Sequence, residues 1–341
     1  MISPFIIDVP DSLKLSTSIR FANWLNKLPH SDHYIFDFAN MKYAPPFGLL
    51  YISNTIRECR AARPTSRFQA VNYSHNTYAG HMGFFTSFGL DFGKQPGEAI
   101  GSITYLPIRE VVFNYTEDPE GNVIATDQDA IEKHANDISK VLARAEEGDL
   151  VDTLTYSFRE ILRNSLEHSM AGSVRYCAQY WPTSNLVEIA VMDYGCGLKR
   201  SLSANPFLQI NSNHDAINFS LMPGISSKYY KGSRKRNDVW QNSGYGLYIT
   251  SRLCGNGGSF FIASGDTGVL LKRGEKKWLG IDIQGTGIRF MLDTSIVRPY
   301  KESIRAYYEE GRSAVKAIVN GEDLTASIAS RLLSKDFPKG V

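Results

Sequence analysis

Residues 160–168 read Glu-Ile-Leu-Arg-Asn-Ser-Leu-Glu-His and combine a polar with an apolar face. Glu160, Asn164 and His168 recur at every fourth position, so on a helix they lie along one face. The apolar residues fall on the other side at amphipathic spacing: Leu154, Phe158, Ile161, Leu162 and Leu166. The pattern predicts a helix over 152–170 that packs by one face and presents a carboxylate, an amide and an imidazole on the other. An ordinary solvated helix face is the alternative.

Length and charge limit the classes of protein to consider. The chain has 341 residues, 43% of them hydrophobic, which is enough for a sizeable core, and we expect two globular units. The 37 basic and 35 acidic residues leave a formal charge of +2, so the overall charge does not favour nucleic acid or an anionic membrane as partner. Any such binding would have to be local.

The cysteines and the hydropathy indicate a cytoplasmic protein. The four cysteines are far apart and form no CxxC pair, which argues against a zinc site and a disulfide framework: Cys59, Cys177, Cys196 and Cys254. The N-terminus has no signal-peptide pattern, and no apolar run reaches the roughly 18 residues that span a bilayer. We therefore expect a soluble protein in a reducing cytoplasm, with no membrane partner.

The N-terminal part alternates short apolar runs with helical stretches. Strands are predicted at Phe5–Val9, Tyr34–Phe38 and Phe68–Asn72. Helices are predicted at Ser18–Lys27, Phe47–Arg60 and Tyr78–Gly89. Strands separated by helices of this length are typical of a small α/β sheet.

This order resembles a STAS domain, the module of bacterial anti-sigma-factor antagonists. In that family the turn after the central strand carries a phosphorylated serine at a helix start. Here the matching stretch, 43–50, keeps Gly48 but has Pro45 and Pro46 where the acidic residue and the serine would fall. Proline has no hydroxyl, so the resemblance implies a docking or dimerising surface without a phosphoswitch. An unrelated small α/β domain is the alternative.

A strong turn at 117–122 suggests a domain boundary, which divides the chain into an α/β unit at 1–116, a second unit at 117–297 and a helical tail at 298–341. The second unit is predicted to contain helices at Asp127–Glu147, 152–170 and Leu247–Cys254. Its predicted strands are Ser173–Tyr180, Leu186–Met192, Ser259–Ser264, Val269–Lys272 and Ile288–Asp293. Tail helices are predicted at Lys301–Asn320 and Asp323–Ser334, where they cover the sheet or meet a partner chain.

Glycine-containing motifs follow the 152–170 helix. Asp193-x-Gly195-x-Gly197 comes directly after a predicted strand, and Gly285-Thr286-Gly287 precedes the last one. Gly244-Tyr245-Gly246-Leu247 opens a helix, where glycines let backbone N–H groups approach a phosphate. Between these motifs, 199–243 is irregular and contains the basic run 228–236, which begins at Lys228. The run is compatible with phosphate contact, nucleic-acid contact or simple solvation.

Taken together, these motifs occur in the order and context of the Bergerat ATP-binding fold of gyrase, the large heat-shock chaperones, histidine kinases and mismatch-repair ATPases. The resemblance covers about 127–297. It implies an α/β sandwich in which a mixed sheet is covered by helices on one face, with the pocket between the 152–170 helix and the irregular segment 199–243, which resembles the ATP lid. The cofactors that it implies are ATP and Mg²⁺.

The resemblance also implies a role for individual residues. Asn164 matches the asparagine that holds Mg²⁺ with its amide oxygen. Asp193 matches the aspartate that accepts the adenine amino proton, while Gly195 and Gly197 give the base room. Thr286 matches the hydroxyl that assists adenine recognition.

On the phosphate side, Gly244 to Leu247, including Tyr245 and Gly246, would supply backbone donors. Lys228 and His168 are further candidate nucleotide contacts. Glu160 matches the general base of the ATPases and serine kinases of this superfamily, where a carboxylate activates a water or hydroxyl against the γ-phosphate.

We therefore expect an Mg·ATP-binding regulatory protein that hydrolyses ATP slowly or phosphorylates serine or threonine on a partner protein, with lid closure as the switch. Asn-Ser-Leu-Glu-His at 164–168 is closest to the anti-sigma-factor serine kinases. The alternative is a nucleotide-gated interaction module without catalysis that controls a partner effector, possible also as a homodimer. A gyrase-like or chaperone-like machine is third, and the missing transducer domain counts against it.

Overall fold

The computed structural model describes residues 4–94, 98, 104–113, 115–117, 123–125, 128–227, 244–255, 257–296 and 298–319. Over these residues the protein is an α+β molecule with one parallel and one antiparallel sheet. The basic run 228–236, with Lys228, and the predicted tail helix 323–334 lie outside them.

The strands, in chain order, are β1 Phe5–Asp8, β2 His33–Asp37, β3 Arg67–Val71, β4 Tyr105–Val112, β5 Tyr115–Glu117, β6 Val123–Ala125, β7 Ser173–Trp181, β8 Leu186–Asp193, β9 Ser259–Lys272 and β10 Glu275–Asp293. The helices are α1 Leu15–Leu25, α2 Pro46–Ala61, α3 Thr77–His81, α4 Gln128–Ala143, α5 Asp149–His168, α6 Gly197–Leu202, α7 Asn213–Ser220, α8 Gly246–Leu253 and α9 Tyr300–Val319.

The N-terminal strands form a parallel sheet in the order β1-β2-β3. The three strands and the first two helices predicted for this part are confirmed within three residues at each end. The third predicted helix is shorter, since α3 ends at His81 and only a 3-10 turn follows at Thr86–Phe88. Gly83, with φ +75°, interrupts the helix between them.

The second sheet has the order β4-β7-β8-β10-β9. We predicted a mixed sheet, which is wrong, because every pairing in this sheet is antiparallel. The connection from β8 to β9 does run between strands of the same direction. However, β10 lies between those two strands and pairs antiparallel with both, so they never meet.

The hairpin β9–β10 is longer than the pattern indicated. The two short strands predicted over 259–272 are one strand, and β10 begins at Glu275 rather than at Ile288. Lys272 pairs with Glu275, so the hairpin loop is Arg273-Gly274, and both residues have positive φ (50° and 76°). Two such residues are the signature of the tight hairpin turn whose twist matches that of the strands.

Helices cover both faces of the five-stranded sheet, whereas we predicted helices on one face. On one face α4, α5 and α8 close a core around Phe158, Tyr176 and Phe290. On the other face lies α2, which comes from the N-terminal part. One continuous core joins this part to the sheet, with residues such as Phe47 and Phe84 beside Met192 and Phe261.

Helix α2 is fastened to the sheet by specific contacts. Phe47 packs edge-to-face on Phe261, with ring centroids 5.3 Å apart, and its N–H donates to Glu188 Oε1 at 3.0 Å. The Tyr51 hydroxyl donates to the carbonyl of Asp282 at 2.8 Å. The segment 43–50 therefore packs on the protein's own sheet through Phe47. Strand β4 pairs with β7, so it belongs to this sheet although the predicted boundary at 116/117 follows it.

The C-terminal helix α9 packs on its own domain. Ile304 and Tyr307 contact a small core around Tyr248 on α8, and the N–H of Tyr300 donates to Asp149 Oδ1 at 2.8 Å. The start of α9 is thereby held at the start of α5. Among the described residues, no helix has the length and apolar character needed to cross a membrane.

Candidate functional site

Helix α5 forms one wall of the candidate site. It begins after Gly148, with Asp149 and Asp152 in its first turn, where the helix dipole favours negative charge. The predicted apolar face is confirmed, because Leu154, Phe158, Ile161, Leu162 and Leu166 are all buried in the core of the five-stranded sheet. The opposite face is not simply solvated, since Asn164 borders a cleft.

The cleft lies between α5, the segment after β8, the start of α8 and β10. Its empty space amounts to about 680 Å³, which includes space open to solvent at its mouth. The predicted residues that line it are Asn164, Asp193, Gly197, Gly244, Gly246, Leu247 and Thr286. Four separate stretches of sequence thus meet in one cavity.

Asp193 ends β8 with its side chain in this cleft, and it is only 3% exposed. Its Oδ1 accepts the N–H of Gly195 at 2.9 Å, and its Oδ2 accepts the Ser165 hydroxyl at 3.3 Å. Burial raises the pKa of Asp193 from 3.8 to about 6, although these donors and the N–H of Thr286 lower it. The buried carboxylate can accept one more hydrogen bond, and an incoming N–H group would stabilise its charge.

Gly195 has a different role from the predicted one. It does not line the cleft, and a Cβ at this position would overlap the carbonyl oxygen of Ser169, at the end of α5. The N–H of Cys196 donates to that same carbonyl at 2.7 Å. The absence of a side chain lets the loop after β8 contact α5 directly, and this contact fixes Asp193 relative to the helix.

Glu160 is buried beside the cleft rather than on its lining. It is 6% exposed and lies within 3.3 Å of Arg159 and 3.4 Å of Arg163. Burial raises its pKa, while the two arginines lower it. Gly246 packs directly against it, since a Cβ there would overlap the Glu160 carboxylate. Glu160 thus supports the start of α8 and is engaged in ion pairs.

Among the remaining predicted residues, Tyr245 does not line the cleft. Tyr245 turns its ring away and packs on Tyr308 of α9, with ring centroids 4.7 Å apart. The side chain of His168 and the whole of Lys228 lie outside the described residues. The predicted lid segment 199–243 includes α6 and α7 in its described part and is therefore more regular than its composition indicated.

Sequence reasoning missed the hydroxyl groups of the site. The cleft is lined by Ser165, Ser169, Ser201, Ser220, Ser226 and Ser227, together with apolar residues that include Leu198, Leu202 and Ile225. Ser165 and Ser169 could have been found together, because they are four positions apart at the end of α5 and therefore lie on one side of it. Ser201 and Ser220 lie in the short helices α6 and α7, and Ser226 and Ser227 lie after α7. No local pattern indicates that these segments approach the cleft.

The residues present fit a magnesium nucleotide better than a bare metal ion. Within the described part of the chain, no cluster of three or more His, Cys, Asp and Glu residues is arranged to hold a metal. Asn164 offers one amide oxygen at the cleft, and Mg²⁺ usually takes its other ligands from phosphates and water. Asn164 is thus the protein ligand that would hold the ion.

Comparisons of the chain with protein-family models, with curated proteins and with solved structures gave no match.

Proposed function

We propose that this protein is an Mg·ATP-binding regulatory protein of the Bergerat ATPase superfamily. The observation that supports the proposal most directly is the carboxylate of Asp193, buried in a cleft where the predicted asparagine, glycine and threonine residues also meet. Buried carboxylates with a raised pKa occur preferentially at functional sites. Aspartates are otherwise mostly exposed and are rarely buried without a partner.

The proposed adenine site follows from the chemistry around Asp193. A carboxylate accepts hydrogen bonds and donates none, so it pairs with the amino group of adenine and opposes the carbonyl at the same position of guanine. Thr286 pairs with Asp193 across β8 and β10, which brings its hydroxyl to the same end of the cleft. Leu198, Ile225 and Ile288 supply the apolar walls that a base requires.

The proposed phosphate site lies at the start of α8. Gly244, Gly246 and Leu247 border the cleft there, and the backbone N–H groups of a first helical turn favour an anion. Asn164 lies on the same cleft and would hold Mg²⁺ against the phosphates. When bound, the ion would neutralise charge on the phosphates.

The proposed activity is slow hydrolysis of ATP, or transfer of its γ-phosphoryl group to a serine or threonine of a partner protein. Glu160 would act as the general base. To accept a proton, Glu160 has to leave Arg159 and Arg163 and turn toward the cleft. Burial raises its pKa, which favours proton uptake relative to an exposed glutamate.

A second candidate function, a nucleotide-gated interaction module without catalysis, is favoured by those same ion pairs. A carboxylate that serves only to position α8 needs no access to the γ-phosphate. In that case nucleotide binding changes the affinity for a partner protein, and ATP is not consumed.

Binding of a non-hydrolysable ATP analogue tests the shared part of both candidates. We expect calorimetric titration to give one site per chain that weakens when Mg²⁺ is removed. Asn164→Ala should reduce the difference between the titrations with and without Mg²⁺. Saturable binding with no response to Mg²⁺ or to Asn164→Ala would contradict the assigned magnesium ligand, and no binding would contradict the proposal.

Phosphate release then separates the two candidates. With Mg·ATP, a catalytic protein should release phosphate or label a partner protein, and Glu160→Gln should abolish this while nucleotide binding persists. No phosphate release or partner labelling above background in the wild type would support the module without catalysis, whereas release at equal rates in the wild type and in Glu160→Gln would contradict the general-base role of Glu160.

A further inference from the structure

A second cleft lies on the sheet face that carries α2, beyond the area that α2 covers. Its walls come from the start of α1, the turn before α2 and the ends of the hairpins β7–β8 and β9–β10. It encloses about 1680 Å³, counting space open to solvent. We call it the basic groove, and its wall and floor residues used below are Lys14, Tyr43, Trp181, Leu186, Glu188, Leu270, Lys272, Arg273, Lys277, Leu279, Arg289, Met291 and Asp293.

Cationic side chains predominate in the basic groove. Lys14, Lys272, Arg273 and Lys277 are exposed, and none of them forms an ion pair with another described residue. The fifth cation, Arg289, is occupied, because it pairs with the buried Glu188 at 2.9 Å. The remaining carboxylate belongs to Asp293, which accepts hydrogen bonds from Ser295. The free charge of the groove is therefore positive.

The floor of the groove is aliphatic. It is formed by half-buried side chains on strands β8, β9 and β10 of the five-stranded sheet, namely Leu186, Leu270, Leu279 and Met291. Such a floor suits aliphatic and aromatic side chains of a peptide. Single-stranded nucleic acid instead requires aromatic surfaces on which bases stack. Trp181 is only partly exposed, and the exposed ring of Tyr43 is already contacted by the Lys14 ammonium at 5.7 Å from its centroid.

The combination of cationic walls and an aliphatic floor indicates an extended chain segment. An extended peptide projects successive side chains to opposite sides, so alternating acidic and apolar residues would face the cations and the floor, respectively.

We propose that the basic groove binds an extended acidic peptide segment of a partner protein, with its carboxylates on Lys14, Lys272, Arg273 and Lys277 and its apolar side chains on the leucine and methionine floor. This surface lies on the opposite side of the five-stranded sheet from the nucleotide cleft, so the inference does not rest on nucleotide binding.

The test uses the full chain and a fluorescein-labelled peptide of about twelve alternating Glu and Leu residues, which spans roughly 40 Å when extended. Fluorescence anisotropy should show saturable binding that weakens as salt is raised. A peptide with Lys in place of Glu, and an oligothymidylate of the same length, should bind much more weakly. No saturable binding of the acidic peptide, or tighter binding of the oligothymidylate, would overturn the proposal.

Two charge-reversed variants locate the binding surface. K272E/K277E changes two cations of the groove and should weaken peptide binding by roughly tenfold or more. R20E/K27E makes the same change in net charge at two exposed positions outside the groove, Arg20 in α1 and Lys27 just after it, and binding should stay within roughly twofold of the wild type. Circular dichroism checks that both variants are folded. Equal weakening in the two variants would indicate attraction by overall charge and overturn the assignment to this groove.

Discussion

A free aspartate side chain has a pKa of 3.8, whereas burial raises the pKa of Asp193 to about 6 in the folded protein. A carboxyl group with a raised pKa binds its proton more tightly in the folded than in the unfolded state. The free energy of unfolding therefore falls as pH rises from 3.8 to about 6 and is unaffected by this group above that range. The interval corresponds to about 3 kcal/mol as an upper limit.

Asp193→Asn should remove this pH dependence. The asparagine is neutral at every pH, and its side-chain oxygen can still accept the N–H of Gly195. We expect the free energy of unfolding of the variant, without nucleotide, to rise relative to the wild type between pH 4 and pH 6 and to keep its gain above pH 6. Urea unfolding at a series of pH values measures the difference. A constant difference across that range would mean that the pKa of Asp193 is not raised.

Gly195 offers a second prediction at the scale of one residue. In Gly195→Ala the new methyl group would overlap the Ser169 carbonyl, so the loop after β8 has to move away from α5. We expect a loss of about 1–3 kcal/mol in the free energy of unfolding and weaker nucleotide binding. Gly172→Ala is the matched control, because a Cβ there meets no atom within 4 Å. Equal stability of the two variants would contradict the close contact.

Some of these residues could be predicted and others could not. Asn164 and Asp193 stand out because a polar residue at a fixed helical spacing and an acid at a strand end are local patterns. The ion pairs of Glu160 were also within reach, since Arg159 precedes it and Arg163 is three positions later on the same helix face. The contact of Gly195 with Ser169 joins two elements, and no local pattern reports such an approach.

The hairpin β9–β10 closes through the two-residue loop Arg273-Gly274. Gly274 has φ +76°, where a side chain introduces strain, so Gly274→Ala should lower the free energy of unfolding by about 1 kcal/mol. Gly280→Ala, in β10 with no atom within 4 Å of its Cβ position, should be close to neutral. Thermal unfolding of the two variants gives the comparison. A larger loss in Gly280→Ala than in Gly274→Ala would contradict the turn geometry.

Strand β10 also explains why the sheet was predicted less well than the helices. Its pairing with β9 shifts register between Gly280 and Ile283 and again before Thr286, which interrupts the alternation that identifies a strand. Gly285-Thr286-Gly287 consequently resembled a strand start although it lies inside β10. Helices α2 and α5 were located more accurately, because their apolar residues follow the helical spacing without interruption. Which strands are neighbours is decided by contacts distant in sequence.

At the scale of the whole molecule, the sequence indicated two globular units, but the core of the parallel sheet continues into the five-stranded sheet through α2. We therefore expect a single cooperative unfolding transition, with equal calorimetric and van't Hoff enthalpies. Two resolved transitions would show that the two parts unfold independently.

Phe47→Ala tests the connection between the two parts. Phe47 is 1% exposed, contacts Phe261 and begins the helix that joins the sheets, so its truncation should lower the free energy of unfolding by about 3–5 kcal/mol. Trp24→Ala on α1, at 45% exposure, serves as the control and should lose much less. Equal losses in the two variants would contradict a shared core.

The central claim is that the cleft binds ATP through Asp193. In Asp193→Asn the amide can turn its NH₂ group toward the adenine amino group, which replaces an acceptor by a donor. A lost hydrogen bond to a charged group corresponds to about 1.5–3 kcal/mol, or roughly ten- to a hundredfold in affinity. GTP has a carbonyl at that position, so it should bind the wild type poorly and gain relative to ATP in the variant.

Calorimetric titration of the wild type and of Asp193→Asn with ATP and with GTP is the measurement that decides this. The account predicts that the variant loses roughly ten- to a hundredfold in ATP affinity and that its preference for ATP over GTP falls. An unchanged affinity for ATP in Asp193→Asn would contradict the assignment of adenine recognition to Asp193 and, with it, the proposed nucleotide site.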